Sequence, residues 1–320
     1  MSAPSFTLKQ LRAAGEVVYR HLPPTPQRLW PLLSQRLDAQ VWVKHENHLP
    51  TGAFKVRGGL VYMERLRRER PQVAGVISAT RGNHGQSLAF AGRAYGVAVT
   101  ICVPHGNSAE KNAAMRANGA TLIEHGQDFD EARAHAQQLA AQQGLEFVNS
   151  FLPDLVLGVA TAAHELLTAV PDLDLLYVPI GMGSNICGMI GVRDLLQLKT
   201  EIVGVQAAGA PSYAMSYAQG RVVTTERAIT HADGLATRVP DADAVALIQR
   251  GAARVVQVDD AAIAQAVRVY HSDTHNLAEG AGAAPLAAAL HERAQLRGRN
   301  IGLVLTGGNI DVDLYRSWVL

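Results

Sequence analysis

The sequence predicts an α/β protein with two lobes, its sheets mostly parallel and flanked by helices. Three observations carry that expectation. Short β-branched apolar runs alternate with alanine-rich amphipathic stretches along the chain. Several of the runs are apolar on both faces, as strands buried inside a parallel sheet must be. Eight such runs in 320 residues are more than one compact open sheet would hold, so two lobes are expected, with ligands at the carboxyl ends of the strands and between the lobes.

In chain order the strand segments are VWVKHE (41–46), AGVISAT (74–80), VAVTICVP (97–104), ATLIEHG (120–126), DLLYVPIG (174–181), EIVGVQA (201–207), AARVVQV (252–258) and IGLVLTGG (301–308). Helices are predicted between them, over 54–68, 83–95, 108–118, 129–143, 154–170, 186–198, 261–271 and 282–297. The alternation implies right-handed crossovers. No internal repeat or Pro/Ser-rich linker separates the lobes, so one is expected inside the other: a large cofactor-binding domain from 1–75 and 152–320, and a small inserted domain from 76–151.

Composition narrows the function. The chain is 48% hydrophobic and 18% charged, with net charge +1 from 29 basic and 28 acidic residues mixed along its length. Neither a nucleic-acid stripe nor a polybasic membrane patch is suggested, and a small-molecule partner is expected. The opening MSAPSFTLKQLRAAGEVV lacks the basic and apolar regions of a signal peptide, and no apolar run approaches the ~20 residues that span a bilayer, so the expected location is the cytoplasm. Cys102 and Cys187 lie far apart in apolar surroundings and read as buried thiols rather than a disulfide or metal site.

Four strand-to-helix turns are rich in glycine and small polar residues. In PTGAFKVRGG, Lys55 falls in the first turn of a helix, where the dipole disfavours a cation. A lysine there is either a depressed amine suited to Schiff-base chemistry or one whose head reaches out to solvent. In SATRGNHGQS, free amides at a helix start, with Thr80, Arg81, Gly82, Asn83 and His84 around them, suit a carboxylate; the plainer alternative is a capped loop holding a satisfied histidine. PIGMGSNICG has the glycines and the helix-start serine, Ser184, of a phosphate cradle. Its spacing is neither GxGxxG nor a GxxxxGK[ST] loop, which weakens dinucleotide and nucleoside-triphosphate readings. LVLTGGNID ends an apolar strand on Thr306, whose hydroxyl could meet a ring nitrogen, and by itself it is an ordinary turn.

Taken together and in this order, TGAFKVRGG, RGNHGQ, GMGSNICG and TGGNID closely resemble the fold-type II pyridoxal-phosphate enzymes, and within them the serine/threonine dehydratase and serine racemase branch. The resemblance runs from about Leu22 to the C-terminus. It implies a tryptophan synthase β-like fold and pyridoxal 5'-phosphate as cofactor. Lys55 would join that cofactor as a Schiff base and, once released, remove the Cα proton. Phe54 would pack on the pyridine ring, Asn83 would bond the ring's 3-oxygen, and Gly181, Met182, Gly183, Ser184 and Asn185 would hold the phosphate. Thr306 would face the pyridine nitrogen, its neutral hydroxyl favouring prompt elimination over transamination. Thr80, Arg81, Gly82, Asn83 and His84 would take the substrate carboxylate. The implied reaction removes water from an L-3-hydroxy amino acid to give a 2-keto acid and ammonia, with the cofactor phosphate protonating the leaving hydroxyl.

Three departures from the family pattern refine this. Arg81 stands where racemases and many dehydratases carry serine, so the second-face acid/base is missing and racemisation is not expected. Gln206, Ala207 and Ser212 replace acidic residues that bind a divalent metal in some relatives, so no metal is expected. The chain ends soon after TGGNID without a regulatory domain, which points to a catabolic enzyme free of feedback control. His271 and His275 in HSDTH lack the glutamate of HExxH and read as surface. Arg133 either closes over a substrate or lies on a solvated face, and Glu279 resembles a position near the cofactor in relatives. Threonine, serine, 3-hydroxyaspartate and phenylserine all fit these motifs, a β-replacement synthase is the alternative activity, and a homodimer is compatible with the sequence.

Overall fold

The computed structural model of the chain describes residues 6–320. Its strands are β1 (Gln27–Leu29), β2 (Gln40–His45), β3 (Gly75–Ala79), β4 (Ala98–Val103), β5 (Thr121–Glu124), β6 (Glu146–Phe147), β7 (Leu175–Pro179), β8 (Glu201–Ala207), β9 (Ala252–Val258) and β10 (Asn300–Leu305). They form a six-stranded sheet ordered β1-β2-β10-β7-β8-β9 and a four-stranded sheet ordered β5-β4-β3-β6. Every neighbouring pair is parallel except β1 with β2. All eight predicted strands form. The two that the sequence does not announce, β1 and β6, have three and two residues, too few to show a periodicity.

The helices are α1 (Leu8–Tyr19), α2 (Pro31–Leu37), α3 (Lys55–Glu69), α4 (Asn83–Tyr95), α5 (Ala109–Ala117), α6 (Phe129–Gln143), α7 (Pro153–Ala169), α8 (Ser184–Leu195), α9 (Ser212–Gln219), α10 (Ala242–Gly251), α11 (Asp260–Thr274), α12 (Gly280–His291) and α13 (Arg293–Leu296). The helix predicted over 282–297 is thus broken at Glu292. That residue leaves the helical conformation where its carboxylate is held by the Tyr177 hydroxyl at 2.6 Å and by the Arg254 guanidinium.

Apolar side chains fill both faces of each sheet. On the large sheet one cluster gathers Leu33, Tyr270 and Leu286, and the other gathers Leu166, Ile190 and Ile248. On the small sheet Ala132, Ala136 and Ala140 of α6 cover Ile77 and Cys102. Its other face joins Val76 and Ile101 to Val17 of α1 and to Val56, Leu60 and Met63 of α3. Helices α1 and α3 give apolar side chains to this same cluster, α3 burying Val56, Leu60, Met63 and Leu66 while Arg65, Arg67, Arg68 and Glu69 face outward.

Beneath α3 lies a buried charge cluster. Arg57 donates to Glu46 at 2.7 Å and to Glu165 at 2.6 Å, while Lys44 and the Tyr19 hydroxyl also bond Glu165. Such a cluster costs desolvation and contributes little net stability, but it fixes geometry, here the first turn of the helix that begins with Lys55.

Candidate active site

Four chain turns meet at the first residue of α3. The loop before Lys55 is pinned by Phe54 N donating to the Thr306 carbonyl at 3.0 Å and by Gly308 N donating to the Gly52 carbonyl at 2.9 Å. Gly52 has φ 66°, and a Cβ there would lie 2.3 Å from Asn309 Oδ1, so two reasons require glycine. The Lys55 amine sits 4.5 Å from the centre of the Phe54 ring. Burial pulls its pKa below the ordinary lysine value, and the carboxylates of Glu279 and Asp233 resist that pull.

The TRGNH turn opens α4. Gly82 N donates to Thr80 Oγ1 at 3.2 Å, and the amides of Asn83, His84 and Gly85 have no acceptor among the described residues. That leaves an anion site at a helix start. Arg81 is exposed; its carbonyl accepts from Asn107, and its guanidinium bonds nothing among the described residues. His84 is buried, its Nε2 lacks a partner, and burial together with Lys55 lowers its pKa to about 3.

Asn83 is held from both sides. Its Nδ2 donates to the Glu279 carboxylate at 2.8 and 3.0 Å, and its Oδ1 accepts from Asn309 Nδ2 at 2.8 Å. Burial pushes the Glu279 carboxyl up to about 7, with Lys111 opposing and Asp233 adding to the rise. A Cβ on Gly307 would lie 2.6 Å from Glu279 Oε1, so the second residue of TGGNID makes room for that carboxylate.

The third turn opens α8. The amides of Ser184, Asn185 and Ile186 have no acceptor among the described residues, and neither the Ser184 hydroxyl nor the Asn185 amide has a side-chain partner there. Gly183 has φ 97° and Gly181 lies against the Gly234 carbonyl, where a Cβ would be 2.3 Å from the oxygen. The Tyr213 hydroxyl fixes the loop by donating to the Met182 carbonyl at 2.8 Å. Thr306 is buried at the end of β10. Free amides at two helix starts and a lysine amine of lowered pKa suit pyridoxal phosphate and an amino acid together.

Lys111 and Asp233 complete the surroundings, and neither was legible in the sequence. Lys111 belongs to an alanine-rich polar helix where lysine is unremarked, yet it is buried and paired with Asp233 from the segment after β8. Arg133 is exposed. His275 is the left-handed cap of α11 at φ 54°. Gln206 and Ser212 are used within the chain, Gln206 accepting from Ala214 N at 2.9 Å and Ser212 donating to the Thr237 carbonyl at 2.7 Å.

Fold and donor set define a pyridoxal-phosphate enzyme: residues 18–307 match the family described as "Pyridoxal-phosphate dependent enzyme", and the chain belongs to that family. Within it the chain falls in the fold-type II branch of serine/threonine dehydratases and serine racemases. It is 38% identical over 281 residues to the L-threonine ammonia-lyase of Geobacter sulfurreducens, covering 87% of this chain and 69% of that protein. It is 31% identical over 286 residues to the L-threo-3-hydroxyaspartate ammonia-lyase of a Pseudomonas species, covering 89% of each. The processed form of threonine deaminase isoform 2 from Solanum lycopersicum superposes with a TM-score of 0.89 at 28% identity, covering 98% of this chain and 94% of that one.

Proposed function

We propose that the chain is a pyridoxal-phosphate-dependent ammonia-lyase that removes water from an L-3-hydroxy amino acid, leaving a 2-keto acid and ammonia. The observation that carries this is the Lys55 amine, its pKa lowered, between an anion site at α4 and another at α8. The free amides of α8, with Gly181, Met182, Gly183, Ser184 and Asn185, would hold the cofactor phosphate, Phe54 and Asn83 would hold its ring, and the neutral Thr306 hydroxyl would serve its nitrogen. When bound, the cofactor supplies the conjugated electron sink that makes the Cα–H bond breakable.

Lys55, neutral once free of the cofactor, takes the Cα proton. The α4 amides with Thr80 and Gly82 fix the substrate carboxylate, His84 lines the same turn, and the Arg81 guanidinium adds charge at its rim. The names of the relatives support threonine and 3-hydroxyaspartate as side chains to test, alongside serine and phenylserine. A homodimer in the cytoplasm is the setting we propose; among the described residues no helix is long and apolar enough to cross a membrane.

The test is a screen of L-3-hydroxy amino acids for keto-acid and ammonia release by the purified holoenzyme. At least one should yield the two products in equal amounts. Product formation only when a thiol or other nucleophile is added, with no ammonia released, would replace this reading by β-replacement.

A further inference from the structure

Neither the phosphate cradle nor the carboxylate turn uses Lys111. Its stem runs over the carboxylate turn so closely that a Cβ on Gly82 would lie 2.6 Å from its Cδ. Only 8% of the residue is exposed, and its ammonium donates to Asp233. Asp233 precedes Gly234, whose carbonyl abuts Gly181 of the phosphate loop. The ammonium thus lies beside the turn at 80–84, paired with a residue adjacent to the one that packs against the loop at 181–184, and although burial disfavours its charge, Asp233, Glu279 and Asp311 together keep it charged. On the dehydratase reading, a substrate whose carboxylate rests on the α4 amides would carry its β-carbon close to that ammonium.

We propose that Lys111, rather than the cofactor phosphate that the resemblance implies, is the catalytic residue that donates a hydrogen bond to the substrate β-hydroxyl and gives it a proton as the C–O bond breaks. This rests on the dehydratase reading. The Lys55 amine takes the Cα proton, and the electron pair of that bond forms the Cα–Cβ double bond. The C–O pair leaves with oxygen, which takes a proton from Lys111 Nζ and departs as water. Lys111, left neutral, regains a proton from solvent, and Asp233 keeps it charged between turnovers. Hydroxide needs that help, since its conjugate acid has a pKa of about 15.7. Chloride leaves without a proton.

The experiment compares kcat/KM for L-serine and 3-chloro-L-alanine, or for the hydroxy and chloro forms of whichever side chain the screen selects. It uses wild-type holoenzyme, Lys111→Met and Lys111→Arg. Arginine keeps the charge and can pair with Asp233, but it does not give up its proton. The hydroxy-to-chloro ratio should fall about a hundredfold in Lys111→Met, the scale of general-acid catalysis, and about tenfold or more in Lys111→Arg. A readout without turnover uses calorimetry on 3-hydroxypropanoate and propanoate. Wild type should prefer the hydroxy acid by about tenfold, the scale of a charged hydrogen bond, and Lys111→Met should lose that preference. An unchanged ratio in either variant, or an unchanged binding preference, overturns the proposal. A wild type that releases keto acid from the chloro substrate and from no 3-hydroxy amino acid would overturn the dehydratase reading, and the role of Lys111 with it.

Discussion

Around Asn83, chemistry fixes the orientation of two carboxamides. An ionised Glu279 only accepts, so Asn83 must turn its NH2 toward it and its oxygen toward Asn309. Asn309 in turn donates to both Asn83 and the Thr51 carbonyl. Glu279→Gln breaks this one-way chain and should weaken cofactor binding by about tenfold, measured by titrating the stripped protein. The same substitution has a pH signature. Glu279 rises from 4.5 to about 7 in the fold, so between those values the folded chain holds a proton that the unfolded chain has lost. Stability from this group therefore falls as pH rises through that window and is level above it. Urea midpoints of wild type minus Glu279→Gln should show that slope; a flat difference would mean the carboxyl titrates normally. Lys55→Ala should abolish turnover and the yellow colour expected of the holoenzyme, and native-rate activity in that variant would refute the assignment. Arg81, exposed and unpaired at the rim, is expected to matter less: Arg81→Ala should raise KM by less than about tenfold.

In the proposed function, helix α8 binds the cofactor phosphate with its backbone. Its first amides are free, and the approach to them requires Gly183 at φ 97°, with Ala244 Cβ only 2.8 Å from where a side chain would begin. Gly183→Ala should cost on the order of 1–2 kcal/mol in strain alone. If that strain falls on the bound state, its cofactor dissociation constant should rise by about five- to thirtyfold, read from absorbance titration. Unaltered cofactor affinity would remove this loop from the cradle. The glycines of the strand-to-helix turns were readable in sequence because each interrupts an apolar strand at the point where a helix begins.

At the scale of the whole molecule, two lobes are held in register by groups that do not touch a substrate. Arg57, fully buried, bonds Glu46, Glu165, Thr25 and Thr161. Arg57→Met leaves two buried carboxylates facing each other and should destabilise the fold by about 3–5 kcal/mol in urea melts. Lys55 activity should fall with it, since the arginine lies two residues along the same helix. Near the end of β8 the Gln206 carboxamide oxygen and the Ser212 hydroxyl are spent on chain contacts, and no cluster of three or more metal-capable side chains occurs among the described residues. Activity should therefore survive chelator treatment, and a large loss restored by Mg²⁺ or Ca²⁺ would show otherwise.

The sequence by itself determined the eight principal strands, eight helices with most of their boundaries to within a few residues, and the four turns that carry Lys55, the TRGNH loop, the GMGSN loop and Thr306. These are local properties: period, glycine placement and helix starts are written in contiguous residues. It did not announce α1, α2, α9 or α10. It did not reveal that α1 and α3 join the small sheet's core, because an amphipathic helix does not say which sheet its apolar face will cover. Nor did it reveal Lys111 and Asp233, which are 122 residues apart. A lysine on a polar helix has the same local pattern whether it faces water or a cleft. Only the packing of α5 over Gly82, and of the segment after β8 against Gly181, encloses that amine, and enclosure gives an ordinary lysine a partner, a retained proton and a task.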